Sequence, residues 1–173
     1  MRFLPTALTG VTVVEPEPTG DARGHFARLY CPDEFARAGI AFVPTQTSLS
    51  CNRDRHTLRG MHYCVEPEAK LVRCTRGRIF DVALDLRRDS TTFRRWFAVE
   101  RDSARANALY IPSGVAHGFL SLEPDTDALY QIDRRYRPGF DAGVRWNDPQ
   151  FAIDWLADPA VINPRDRDFP DFV

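Results

Sequence analysis

Apolar and polar positions along this chain alternate in short runs, and sustained helical spacing is rare. Val11-Thr12-Val13-Val14 is the first β-branched run; a turn through Gly20-Asp21-Ala22-Arg23-Gly24 then leads to a second strand expected over 26–30. Residues 33–38 open with Asp-Glu and run into Gly39, which predicts one short capped helix. Further strands are expected at 45–50, 57–64 and 70–74, then, after the Thr75-Arg76-Gly77 turn, at 79–86. Four more follow at close intervals, at 93–99, 108–111, 118–122 and 128–132. Many short strands punctuated by Gly and Pro, with one convincing helix, predict a double-sheet barrel or sandwich. From Pro149 onward aromatics, prolines and acids mix, and this stretch is expected to wrap the barrel as irregular structure.

No repeat, low-complexity tract or linker interrupts the 173 residues, so they read as a single domain with a substantial core. A formal net charge of -1 argues against a nucleic-acid binder driven by bulk positive charge. No run approaches the ~20 apolar residues that cross a bilayer, and the N-terminus lacks the long apolar stretch of a signal peptide. Cys31, Cys51, Cys64 and Cys74 form no CxxC pair and share no metal-like spacing with histidine, which reads as free thiols in a reducing cytoplasm. Lys70 is the one lysine, every other member of the 23 Lys and Arg being arginine. Guanidinium forks grip phosphate and carboxylate two-pronged, so this bias fits an anionic ligand; it fits a default surface cation equally well.

The chain has four histidines, His25, His56, His62 and His117. Strand alternation sets Arg59 and His62 on opposite faces, unless Gly60 makes a bulge that re-aims one of them. Taken alone, each histidine reads more simply as a hydrogen-bonded structural residue, and no HxH pair offers a metal site. Lys70 suits a place where a compact ammonium must approach a small oxyanion, and Tyr130 alternates with apolar neighbours like a core aromatic.

The combination changes the picture. Thr57-Leu58-Arg59-Gly60-Met61-His62-Tyr63 precedes Lys70-Leu71-Val72-Arg73, and then come Gly77 to Arg87 and Asp89-Ser90-Thr91-Thr92-Phe93. Tyr110-Ile111-Pro112, Ala116-His117-Gly118-Phe119, Leu129-Tyr130 and Arg145-Trp146-Asn147-Asp148-Pro149 complete the series. In order and spacing these runs resemble the dTDP-4-dehydrorhamnose 3,5-epimerase family of the cupin superfamily, over nearly the whole chain. The resemblance implies an all-β, cupin-type jelly-roll barrel with short peripheral helices, a homodimer, and catalysis with no metal or organic cofactor. It implies an enzyme that inverts C3 and/or C5 of a nucleotide-linked 4-keto-6-deoxy sugar through an enolate, in deoxysugar biosynthesis.

On the family pattern His62 is the base, Tyr130 the acid on the opposite face, and Lys70 the cation at the enolate oxygen. Asp166 matches the partner that orients the base, with Asp81 a competing orienter. Arg23, Arg59 and His117 match contacts to the sugar nucleotide, Tyr136 a tyrosine that stacks on the base, and Asp141 and Arg165 further ligand contacts. Arg28 and Gln46 also fall at ligand positions but depart from the pattern: Arg28 stands where the family has Glu, and Pro44-Thr45-Gln46 where it has Gln-Asp-Asn. The loop from Cys64 to Ala69 is about two residues short of the family spacing. These departures leave the nucleobase open, with a dTDP-linked substrate as the default and a CDP-linked one as the alternative. Two other classes compete: a non-catalytic sugar-nucleotide-binding barrel, and a metal-dependent cupin enzyme.

Overall fold

A computed structural model describes all residues from Met1 to Val173. In chain order the elements are β1 (Arg2–Pro5), β2 (Thr12–Glu15), β3 (Thr19–Asp21), β4 (Gly24–Phe26), α1 (Pro32–Arg37), β5 (Gln46–Asn52), β6 (Thr57–Cys64) and β7 (Lys70–Arg76). There follow β8 (Arg78–Asp85), β9 (Trp96–Asp102), β10 (Ala108–Ile111), β11 (Val115–Ser121), β12 (Thr126–Ile132), β13 (Asp141–Gly143), β14 (Val161–Ile162) and α2 (Pro164–Arg167). No helix is long and apolar enough to cross a membrane.

Two sheets make the body. One has the order β1-β2-β10-β7-β12-β5, the other β13-β6-β11-β8-β9 with β14 added beside β6. Sequence neighbours are mostly not sheet neighbours, and every pair except β14–β6 is antiparallel. This is the double-sheet body expected from the short, punctuated strands, in the jelly-roll form that the family resemblance implied.

The alternation over 79–86 predicts a half-buried strand, but on β8 seven consecutive residues are buried. Ile79 and Ala83 pack between the sheets, against Cys74 and Ala128 or Val72 and Leu109. Phe80, Val82 and Leu84 instead pack outward with Leu58, Met61, Val144 and Phe151, beneath Trp146 and Trp155 of the C-terminal tail. A strand covered on both faces loses the polar half of its alternation, because neither face meets water. On the other sheet, α1 and the segment after it bring Phe35 and Phe42 over Val14, Leu71 and Tyr110. Helix α1 begins with Pro32, carries Asp33 and Glu34 in its first turn and Arg37 in its last, each suited to its end of the helix dipole.

The Ser90-Thr91-Thr92 run has a structural task. Asp85, at the end of β8, accepts from Ser90 Oγ and Thr92 Oγ1, both at 2.6 Å, and pairs with Arg87 at 2.7 Å. Burial pushes its carboxyl up, but these donors outweigh that and hold it at about 2.

Three expectations need correction. The strand expected over 26–30 is instead the short hairpin β3–β4, after which the chain leaves the sheet and Tyr30 Oη donates to the Phe42 carbonyl. Strand β9 starts at Trp96, because Phe93 and Arg94 belong to the turn closed on Asp85. The tail is mostly irregular as expected, yet it adds β14 and α2, both too short to carry a periodic signal.

Candidate functional site

A cavity of about 480 Å³ opens between the two sheets. Its walls come from β5, β7 and β12 on one side and from β6 and β11 on the other. Of the residues singled out above, it brings together Gln46, Arg59, His62, Lys70, His117, Tyr130, Tyr136, Asp141 and Arg165.

Gly60 explains how Arg59 and His62 come to share one cavity. Strict alternation would separate them, but the β6–β11 register shifts: His62 pairs with His117, while Arg59 pairs with Phe119. Gly60 sits at φ 124°, and a Cβ there would lie 2.5 Å from Gly118 Cα and 2.8 Å from the His117 carbonyl. Only glycine fits both the backbone conformation and the approach of the next strand. Arg59 is then fixed by donating from Nε to Asn52 Oδ1 at 2.8 Å.

Each cavity histidine has its own carboxylate. His62 Nε2 lies 2.8 Å from Asp166 Oδ1, and Asp166 Oδ2 accepts from the Gly60 N–H at 2.9 Å. Asp166 stands behind His62, 1% exposed, on α2, whose Asn163 cap accepts the Asp166 N–H at 2.7 Å. Burial pushes the Asp166 carboxyl up, yet the hydrogen bond and charge of His62, helped by Gly60, prevail and hold it below the usual carboxylate value. His117 Nε2 lies 2.6 Å from Asp81 Oδ1, and Asp81 Oδ2 accepts from Arg101 Nε at 2.8 Å. Asp81 and Arg101 are both fully buried. Asp81 therefore serves His117, and Asp166 is the carboxylate on His62.

Tyr130 projects from β12, in the sheet opposite to His62, and Lys70 begins β7 beside it in register with Ile132. At the mouth, Tyr136 N donates to Gln46 Oε1 at 3.2 Å, and Arg165 donates to the Asp141 carbonyl at 3.3 Å. A side-chain hydrogen bond to Asp141 pushes the half-exposed Tyr136 hydroxyl up. Phe169 packs edge-on to the His62 ring at 5.9 Å, with the Arg165 guanidinium over it at 5.6 Å.

Two arginines stand apart from the cavity. Arg23, 89% exposed at the tip of the β3–β4 hairpin, is spent on Asp21 at 2.5 Å. Arg28 pairs with Glu34 of α1 at 2.9 Å. Both follow a chain segment that leaves the barrel, so neither reaches the walls of its own cavity. Reading the sequence missed Glu68, which lines the cavity 3.4 Å from Lys70 Nζ. Its only signal was its place two residues before the lone lysine. No group of three His, Cys, Asp or Glu side chains is arranged to hold a metal ion.

Comparison with known proteins agrees with this layout. The family model described as dTDP-4-dehydrorhamnose 3,5-epimerase matches residues 5–173. The dTDP-4-dehydrorhamnose 3,5-epimerase of Methanothermobacter thermautotrophicus is 38% identical over 97% of this chain and 92% of its own length. The dTDP-4-dehydrorhamnose 3-epimerase of Streptomyces niveus is 36% identical over 97% of this chain and 82% of its own. The crystal structure of dTDP-4-dehydrorhamnose 3,5-epimerase from Bacillus anthracis, with TDP and PPi bound, superposes with a TM-score of 0.95 at 33% identity, covering 99% of each chain. Because the match takes in both sheets, every wall of the cavity and the tail that carries Asp166, the chain belongs to the dTDP-4-dehydrorhamnose 3,5-epimerase family.

Proposed function

We propose that this epimerase works in the cavity between its sheets on a nucleotide-linked 4-keto-6-deoxy sugar, inverting the carbons beside the ketone. The observation that carries the reading is the His62–Asp166 pair, in the wall opposite Tyr130 and Lys70. Asp166 occupies Nε2, which leaves Nδ1 of His62 to take the proton from carbon. As that C–H bond breaks, its electron pair moves toward the C4 oxygen, and the Lys70 ammonium stabilises the enolate. The Tyr130 hydroxyl then gives a proton to the same carbon from the other side, which inverts it. Placing base and acid on opposite sheets is what such an inversion asks of a scaffold.

Arg59, Arg165 and His117 would hold the diphosphate and sugar, with Tyr136, Gln46 and Asp141 at the nucleoside end. The whole chain acts as one catalytic domain in the cytoplasm, where its four unpaired thiols are at home. We read the working form as a homodimer. The β3–β4 hairpin is exposed throughout, with Phe26 at 76% and Arg23 at its tip, a shape fitted to reach a second copy's cavity.

Family membership leaves the number of inverted centres open, since the relatives include a 3,5-epimerase and a 3-epimerase. Incubation with dTDP- and CDP-linked 4-keto-6-deoxyglucose in deuterated water, followed by NMR, tests the reading. Deuterium should enter at both C3 and C5, with dTDP preferred. Entry at one carbon narrows the activity, and CDP preference reassigns the base. No entry from either nucleotide overturns the proposal.

A further inference from the structure

Glu68 is a charge in the cavity that the scheme above does not use. It sits in the short loop between β6 and β7 and lines the cavity next to Lys70. Its side chain is only 8% exposed, and the Lys70 ammonium, 3.4 Å away, is its close polar partner within the chain. A carboxylate only accepts hydrogen bonds, and its two oxygens have room for about four. Water entering the open cavity can donate to it, and a sugar that displaces this water has to replace those donors.

The chemistry of the substrate selects the donor, and this step rests on the function proposed above. If Lys70 meets the C4 oxygen, a group 3.4 Å from its Nζ lies beside the carbons flanking the ketone. C5 carries a methyl group and the ring oxygen, and neither can donate. C3 carries a hydroxyl, which can. We infer that Glu68 is a specificity-determining residue that accepts a hydrogen bond from the C3 hydroxyl of the 4-keto sugar. Lys70 holds the ketone and Glu68 its neighbour, which favours one of the two ring placements that bring C3 and C5 in turn between His62 and Tyr130. A ring turned to offer its other flank gives up this hydrogen bond, so that placement is the weaker of the two.

The competing reading is that Glu68 only steadies Lys70. The two separate when 4-keto-6-deoxyglucose, carried on dTDP and on CDP, is compared with its 3-deoxy counterpart in deuterated water. Deuterium uptake beside the ketone is followed for the wild type, Glu68→Ala and Glu68→Gln. The wild type should lose roughly 10- to 100-fold in kcat/KM when the C3 hydroxyl is absent, the range of a hydrogen bond to a charged acceptor. Glu68→Ala should treat the two sugars alike, and Glu68→Gln, which keeps the shape and a neutral acceptor, should fall between. Unchanged dTDP binding by calorimetry would certify that the variants keep their cavity. A Glu68→Ala enzyme that still discriminates as the wild type does would overturn the assignment. So would one that slows equally on both sugars while the preference persists, because that marks a residue acting through Lys70 alone. Absence of uptake by the wild type on every sugar would instead bring down the proposed function, and this inference with it.

Discussion

His62 and His117 face each other in register across β6 and β11, yet the carboxylates behind them differ in kind. Asp81 is sealed between His117 and Arg101, whereas Asp166 divides its oxygens between His62 and the Gly60 N–H. Replacing Asp166 by Asn tests what that division does. The amide oxygen would satisfy Gly60 and turn the NH2 toward Nε2, which forces the proton of neutral His62 onto Nδ1, the nitrogen a base needs free. Asp166→Asn should therefore keep its fold and KM but lose about 10²- to 10⁴-fold in kcat for solvent exchange. A kcat close to wild type would remove Asp166 from the mechanism. At this scale the sequence was legible for His62, Lys70 and Tyr130 through their order and spacing. It favoured Asp166 only through the family resemblance and could not exclude Asp81, because partner identity here depends on which strand lies behind which ring.

Among the elements, β6 carries the most consequence in one residue. Gly60 permits a register shift that turns Arg59 and His62 into the same cavity, and it lets Gly118 of β11 approach without a side chain between them. Gly60→Ala adds a Cβ against backbone atoms at a positive φ, so neither neighbour can yield cheaply. A loss of about 3 kcal/mol in stability is expected by urea denaturation. Activity per folded molecule should fall as well, since the aim of His62 depends on the same shift. A variant as stable and active as wild type would mean that β6 does not need this bulge. The alternation rule signalled the conflict between Arg59 and His62 and named Gly60 as its remedy. It gave no hint of β1, β13 or β14, which exist only because a partner strand pairs with them.

At the scale of the whole molecule, one sheet supplies Tyr130 and Lys70, the other supplies His62, and the C-terminal tail returns 104 residues later to place Asp166. The β3–β4 hairpin remains outside this assembly, with Arg23 exposed and not among the residues that line its own cavity. If it completes the cavity of a second copy, two inactive variants should rescue each other. Arg23→Ala and His62→Ala, mixed under conditions that exchange subunits, should regain activity, because a mixed dimer has one site free of both defects. Failure to regain activity in mixtures shown to contain mixed dimers would keep Arg23 within its own subunit or outside the reaction.

The strand content, a short helix over 33–38 (found at Pro32–Arg37) and a double-sheet body were already contained in the spacing of β-branched, Gly and Pro positions, because these depend on local backbone preference and on which face meets water, whereas the jelly-roll class came with the family resemblance. That His62, Lys70 and Tyr130 belong to one site was readable for a related reason: family runs keep their order along the chain. Which carboxylate stands behind which histidine, the presence of Glu68 beside Lys70, and the separation of Arg23 and Arg28 from the cavity were decided by tertiary structure alone. Each depends on contacts between segments whose approach is set by sheet order and packing, and no local pattern encodes a distance of that kind.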